Sequence, residues 1–436
     1  MRIFILATFL FLLSKNESIS QTRNLINLTG KTLNEDGLAI PFVNISLTSD
    51  PSIGSYSNAS GEFQIQFISA QDDSLKFSSI GFANTVIPVY KLNDISDSLK
   101  VLLHSKVYLL DVVEITSDTA LSIVRKSIDK LKNNLDGNKS ILQGFYREVI
   151  RSDYTYDRLV EAAVDVFDKG YSSGEMQFKV REIRKSDDFR DMDWKMTIMN
   201  YIQPVNGLNG QHESLFSNDY IRNNTEKYFF ISNAPLNEEF FKEVIFTLDS
   251  VGLEDSQEIL CIGIRPTSES DYQGSTGHIY IRKKDFAILE MKFELNLEPG
   301  HPFALPGQTF MHQTLIKYKD YQGKMYLSLL HRKSFRFELN EDKFDKAKKK
   351  GKVEGHFFNE SLFVTNEIIT EKSKAKAFQR KERQKGNIDL YSKEWKYNEA
   401  FWKNYNIVVQ RPLEPSIKKD IERGNTLDEQ FRKNSN

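Results

Sequence analysis

Seven histidines, one cysteine and scattered carboxylates are the groups from which this 436-residue chain could build a reactive site. A zinc hydrolase needs a His-x-x-Glu pair and a distant His, so that three ligands leave one open position. None of His104, His212, His278, His301, His312, His331 and His356 is followed by Glu at the third position, and no His-Glu-x-x-His occurs. Gly170-Tyr-Ser172-Ser-Gly174 matches the spacing of a nucleophile elbow. That motif works only where a strand turns sharply into a helix. Here Val164-Asp-Val-Phe and Met176-Gln-Phe-Lys-Val both read as strands, so the segment is expected to be a hairpin loop. Asp187, Asp188, Asp191 and Asp193 offer oxygens but lack the alternating Asp spacing and Gly of a calcium loop. Arg184, Lys185 and Arg190 sit among them and can neutralise them. Cys261 lies in the apolar run Ile259-Leu-Cys-Ile-Gly-Ile and reads as a buried small hydrophobe. No phosphate-cradling glycine loop is present. The expectation is a non-enzymatic chain with no catalytic set, no cofactor and no metal.

The charge balance points the same way. Lys and Arg number 59, Asp and Glu 60, for a net charge of −1. Nothing global draws the chain to nucleic acid. The basic run Lys343 to Lys352 reads as a solvated loop. At the other end, Arg2 precedes an apolar run from Ile3 to Leu13, too short for a membrane span of ~20 residues. Ser18 and Ser20 stand at −3 and −1 of a cleavage site before Gln21, the layout of a secretory signal over residues 1–20. No later segment reads as a span. The expected location is therefore the periplasm or the outer membrane.

The elements that would position any site begin at Leu28. Asp36-Gly37 is a tight-turn dipeptide, and Pro41 reads as the start of a strand. Val43, Ile45 and Leu47 alternate with polar residues. Asn58 to Gly61 turns the chain again, and Phe63, Ile65 and Phe67 alternate after it. With Leu75-Lys-Phe-Ser-Ser-Ile-Gly-Phe, this pattern resembles the carboxypeptidase regulatory-like domain. That resemblance implies a small prealbumin-like, seven-stranded type of β-sandwich over residues 21–104, an accessory fold without peptidase chemistry. Val107-Tyr-Leu-Leu-Asp-Val-Val-Glu-Ile-Thr resembles the strand that follows such sandwiches in TonB-dependent receptors of the Bacteroidota, with Asp111 where Glu is common.

Residues 105–140 read as a linker strand and a helix. Leu121, Val124, Ile128 and Leu131 form one apolar stripe, and Ser117 or Asp118 can cap it. Residues 141–370 read as antiparallel β-structure. Gly277 to Glu290 and Tyr318 to Leu329 read as hairpins. They resemble those of lipoprotein-carrier-type open barrels, where a curved sheet wraps a helix. An open barrel and a closed sandwich both fit. Met291, Phe293 and Leu295, and likewise Phe335, Phe337 and Leu339, take every second position. The expectation is that both sets face one concavity, an apolar groove closed partly by the helix and otherwise by loops, the tail or a ligand. Residues 371–436 form a charged, partly helical tail whose apolar anchors are Trp395, Phe401, Trp402 and Tyr405. Glu399-Ala-Phe-Trp-Lys-Asn-Tyr, Gly144-Phe-Tyr-Arg-Glu and Val160-Glu-Ala-Ala-Val-Asp-Val-Phe resemble segments of exported Bacteroidota proteins that carry the same N-terminal sandwich. The fold class is thus mainly β with minor α. The function is read as an exported binding or structural module for an apolar ligand or an envelope protein. The alternatives are a secreted hydrolase with an unrecognised site and a relative of TonB-dependent receptors.

Overall fold

In a computed structural model, the described residues are 24–69, 73–92, 98–108, 117–152, 155–173, 176–190, 212–225, 234–254, 256–297, 308–338, 357–384, 389–405 and 413–434. The expected signal segment, Asp111, the Lys343 run, Asp191 and Asp193 lie outside them.

Turn chemistry organises the N-terminal unit. Gly37 and Gly61 take φ of 75° and 74°, and the Asn58 side chain accepts the Ser60 and Glu62 amides at 2.9 and 2.8 Å. Seven strands result: β1 (Asn24–Leu33), β2 (Asn44–Leu47), β3 (Gly54–Tyr56), β4 (Glu62–Ser69), β5 (Ser74–Ser78), β6 (Thr85–Pro88) and β7 (Leu99–Leu102). They form two sheets, β4-β1-β7 and β3-β2-β5-β6. Val43, Ile45, Phe63, Ile65, Leu75 and Phe77 fill the space between them. Gly30 permits the close packing, because a Cβ there would lie 2.4 Å from the Leu99 carbonyl and from the Phe63 ring. Strand β2 starts at Asn44 rather than at Pro41, because Phe42 turns the chain at φ 55°.

The remaining strands form one antiparallel sheet. They are β8 (Val107–Tyr108), β9 (Ser140–Ser152), β10 (Thr155–Asp168), β11 (Met176–Lys185), β12 (Val244–Glu254), β13 (Gln257–Pro266), β14 (Thr276–Arg282), β15 (Ala287–Leu297), β16 (Gln308–Tyr321), β17 (Lys324–Glu338) and β18 (Phe357–Ile369). The order is β11-β10-β9-β18-β17-β16-β15-β14-β13-β12-β8, so the last strand returns beside β9. Among the described residues the two ends do not pair, and the sheet stays open. Both expected hairpins form. Gln322 and Gly323 close the second with φ of 53° and 74°, which suits the strand twist.

Register divides the side chains between two faces. Met291 pairs with Ile316, Ile316 with Leu330, Leu330 with Phe363 and Phe363 with Tyr146. This helix face packs on helix α1 (Ser117–Asn134) through Ala120, Val124 and Leu131. Residues 212–225 and 234–241, with helix α2 (His212–Ser217), cover the rest through Leu215, Phe216, Tyr220 and Phe240. Met291, Phe293 and Leu295 are buried core here, and the Phe293 ring meets Tyr220 and Phe240 edge-on at 6.1 and 6.0 Å.

The expected common groove is therefore corrected. Leu295 pairs with His312 and His312 with Ser334, which leaves Phe335 one residue out of phase. A one-residue offset moves a side chain to the other face. Phe335 packs there with Phe358, Val149 and Ile417. Phe337 continues β17 opposite Thr309, and Leu339 lies outside the described residues. Periodicity shows that a strand has an apolar face; it does not show which side of the sheet that face takes.

Candidate functional site

The face opposite the helices carries two covers. The first is the C-terminal tail, with helices α3 (Glu399–Tyr405), α4 (Pro415–Ile421) and α5 (Leu427–Lys433). Trp402 lies on Phe145 and Ala163, while Ile417, Ile421 and Phe431 lie near Val149 and Leu159. Beneath them is Glu161, 2% exposed and held by Arg147 and Arg184 at 2.6 Å each. Burial alone would raise its pKa, but the Arg184 and Arg147 charges outweigh that and lower it. Trp402 lies over the Arg184 guanidinium at 4.3 Å.

The second cover is the sandwich. It rests on Leu315, Leu329, Leu362 and Val364 through Tyr56 and Phe42. The Tyr56 hydroxyl bonds Ser328 Oγ at 2.7 Å. Lys317 and Lys319 donate to the Phe42 and Ser52 carbonyls at 3.1 and 2.9 Å. Beside this contact the two surfaces separate around a cavity of about 490 Å³. Ile40, Pro41, Phe42, Ile80 and Phe82 contribute an apolar roof. The floor is polar, with His278, Tyr280, Glu290, Lys292, Gln313 and Lys317. A volume of several hundred cubic ångström with a few converging polar groups has the form of a small-ligand site. Phe42 stands at its rim. Its φ of 55° is costly for a side chain with a Cβ, by roughly 1–3 kcal/mol. Its ring meets His331 at 5.2 Å, and His331 Nε2 bonds Glu360 at 2.5 Å.

Glu290 is the centre of the floor. It is 3% exposed and bridges Lys292 at 3.0 Å and Lys317 at 2.9 Å. Burial would raise its pKa, yet Lys317 and Lys292 hold it down at about 2. Burial pushes the Tyr280 hydroxyl up to about 12. At neutral pH Glu290 is therefore ionised and the Tyr280 hydroxyl keeps its proton. The Lys292 side chain is half exposed at the cavity, with its ammonium over the Tyr280 ring. Sequence reasoning missed Glu290, because on a strand with an apolar partner face it reads as a solvated residue. Its burial comes from a sandwich more than 200 residues away in sequence.

Of the residues singled out for chemistry, His278 and His331 line this cavity, and the other described ones lie elsewhere. Ser172 belongs to the short turn Tyr171–Ser173 between β10 and β11, which pair antiparallel with Asp168 opposite Met176. A strand follows, where the elbow needs a helix. Asp188 is bound by Arg190, and Asp187 by Lys433. Arg184 turns away to Glu161, and Lys185 donates to the Tyr391 and Lys393 carbonyls. Cys261 is buried, and burial pushes its thiol up, away from the reactive thiolate. His312 sits between Ser334 and Asn218 at 2.9 and 3.0 Å; burial, then Arg332, push it down to about 3, so it stays neutral. Among the described residues no group of His, Cys, Asp or Glu is placed to hold a metal. Among them no helix is long and apolar enough to cross a membrane.

Comparison with known proteins identifies the N-terminal unit: residues 28–115 match the CarboxypepD_reg-like domain. No curated protein matches the chain. Among solved structures, the chain is similar to a putative outer membrane lipoprotein-sorting protein domain from Vibrio parahaemolyticus. The identity is 9%, over 61% of this chain and 96% of that one, with a TM-score of 0.24. It is also similar to a DUF1329 family protein from Desulfovibrio piger ATCC 29098, at 10% identity over 57% and 93%, with a TM-score of 0.20. Likeness at these scores carries no argument about function.

Proposed function

We propose that the chain is a non-enzymatic exported binding module whose ligand sits in the cavity between the sandwich and the sheet. The observation that carries this reading is the mixed lining, with an apolar roof from the sandwich and a charged floor from β14 to β17. Such a site suits an amphipathic molecule. Its apolar body lies under Phe42, Ile80 and Phe82, and its polar or anionic end meets the half-exposed Lys292 side chain. Since Glu290 is already paired, a ligand anion completes the coordination of Lys292 rather than competing for a buried proton. The leader-like residues 1–20 support action in the periplasm or at the outer membrane.

The test is extraction. Full-length protein purified from its native envelope is extracted with organic solvent and examined by mass spectrometry. The proposal expects one amphipathic compound in near-stoichiometric amount. It expects loss of that compound from Ala59→Trp, which fills the cavity from the exposed rim residue Ala59. Equal recovery from both proteins, or none from the wild type, overturns it.

A further inference from the structure

A second cavity, of about 1000 Å³, opens where the loop before β9, the end of β10, the β16–β17 turn and residues 370–377 meet. Lys139, Lys169, Lys324, Lys372 and Lys376 line it, and Asp136 is the one carboxylate among its lining residues. Asp136 is committed, since it accepts the Tyr326 hydroxyl at 2.8 Å and the Asn138 amide at 3.0 Å. The Lys324 ammonium is fixed at the rim by the Asn133 carbonyl at 2.6 Å. Lys139, Lys372 and Lys376 are exposed. The neighbouring acids are spent on other partners: Asp168 on Arg222 at 2.7 Å and Glu371 on Lys374 at 2.7 Å.

Five cations around one opening are a local concentration of charge in a chain whose net charge is −1. They come from four separate stretches of sequence, so no basic run marks them. Their mutual repulsion raises the local potential, and an anion that spans the opening relieves it. A volume of about 1000 Å³ suits several anionic groups on one ligand better than a single small ion. We propose that this opening is a binding site for a polyphosphorylated anion, free in solution or carried as a lipid headgroup. It is independent of the ligand cavity beneath the sandwich.

Inorganic tripolyphosphate is the probe, titrated calorimetrically into the full chain at low salt. The test variant is Lys139→Ser/Lys372→Ser/Lys376→Ser. The control, Lys100→Ser/Lys106→Ser/Lys418→Ser, removes the same charge from exposed positions elsewhere. At roughly a fivefold loss of affinity per lysine, the test variant binds about 100-fold more weakly, while the control keeps wild-type affinity. Added salt weakens wild-type binding steeply, through screening. Tripolyphosphate also raises the melting temperature of the wild type and not that of the test variant, which itself melts no lower than the wild type. Absence of binding to the wild type, or equal losses in test variant and control, overturns the proposal. Vesicles separate the two sources. Capture on vesicles containing a bis-phosphorylated lipid A, but not on phosphatidylglycerol or phosphatidylcholine vesicles, competed by tripolyphosphate, assigns the ligand to a headgroup. Tripolyphosphate binding without vesicle capture assigns it to a soluble compound.

Discussion

Two buried glutamates lie on one face of the same sheet, each between two cations, under different covers. Glu161 is gripped by the guanidinium groups of Arg147 and Arg184, with Trp402 packed over Arg184. Glu290 is held by the ammonium groups of Lys292 and Lys317, beneath a cavity. Arginine offers a planar fork that stacks under an aromatic ring and tolerates dryness; lysine is a compact, strongly hydrated charge. The tail therefore seals its ion pair, while the sandwich leaves one cation of its pair half exposed. The difference separates a structural cover from a binding one.

Mutations that remove the glutamates test that separation most strongly. Glu161→Gln strands two nearly buried arginines and should cost about 3–5 kcal/mol in chemical denaturation. Trp402→Ala should cost about 3 kcal/mol by emptying the tail contact. Glu290→Gln should cost less, about 2 kcal/mol, because the Lys292 side chain can rehydrate in the cavity and Lys317 keeps its bond to the Phe42 carbonyl. Equal costs at Glu161 and Glu290 would erase the distinction. Tyr56→Phe, which removes the bond to Ser328, should cost about 1 kcal/mol in the same measurement. Phe42→Gly should change stability by less than about 1 kcal/mol, since glycine relieves the positive φ as the ring contact is lost.

The acid limb of stability sharpens the comparison further. Folding lowers the pKa of Glu290 from 4.5 to about 2, and lowers that of Glu161. Their stabilisation is complete above the unfolded value of 4.5 and is lost as pH falls through the folded values. Asp219 acts in the opposite sense. Burial raises it from 3.8 to about 6, so its contribution is present below 3.8 and declines as pH rises through 6. Melting temperatures measured from pH 2 to pH 7 should show a shallower acid limb in Glu290→Gln. Asp219→Asn should remove the decline toward pH 6.

The sandwich was legible because its signals are local. The Asp36-Gly37 and Asn58–Gly61 turns and the alternation of Val43, Ile45 and Leu47 name strands and their inward faces without reference to distant residues. The two central hairpins and the helix were legible for the same reason. The groove was misplaced because facing is set by register between strands, which Met291 and Phe335 do not encode in their own periodicity. The tail follows suit: Trp402 is the anchor its sequence suggests, but it packs across the sheet from Met291. The candidate cavity left no trace in the sequence. Its roof begins at Ile40 and its floor ends at Lys333, and only docking of the sandwich joins them.

Titration of anilinonaphthalene sulfonate, an amphipathic anion that fluoresces when shielded from water, tests the central claim most directly. At neutral pH, well below the melting temperature, the account predicts a single saturable site in the wild type. Binding should be lost in Ala59→Trp and weakened in Lys292→Glu. It should persist in Lys403→Glu, a matched charge reversal on the tail cover. Fluorescence unchanged by Ala59→Trp and Lys292→Glu, or lost equally in Lys403→Glu, would contradict the account.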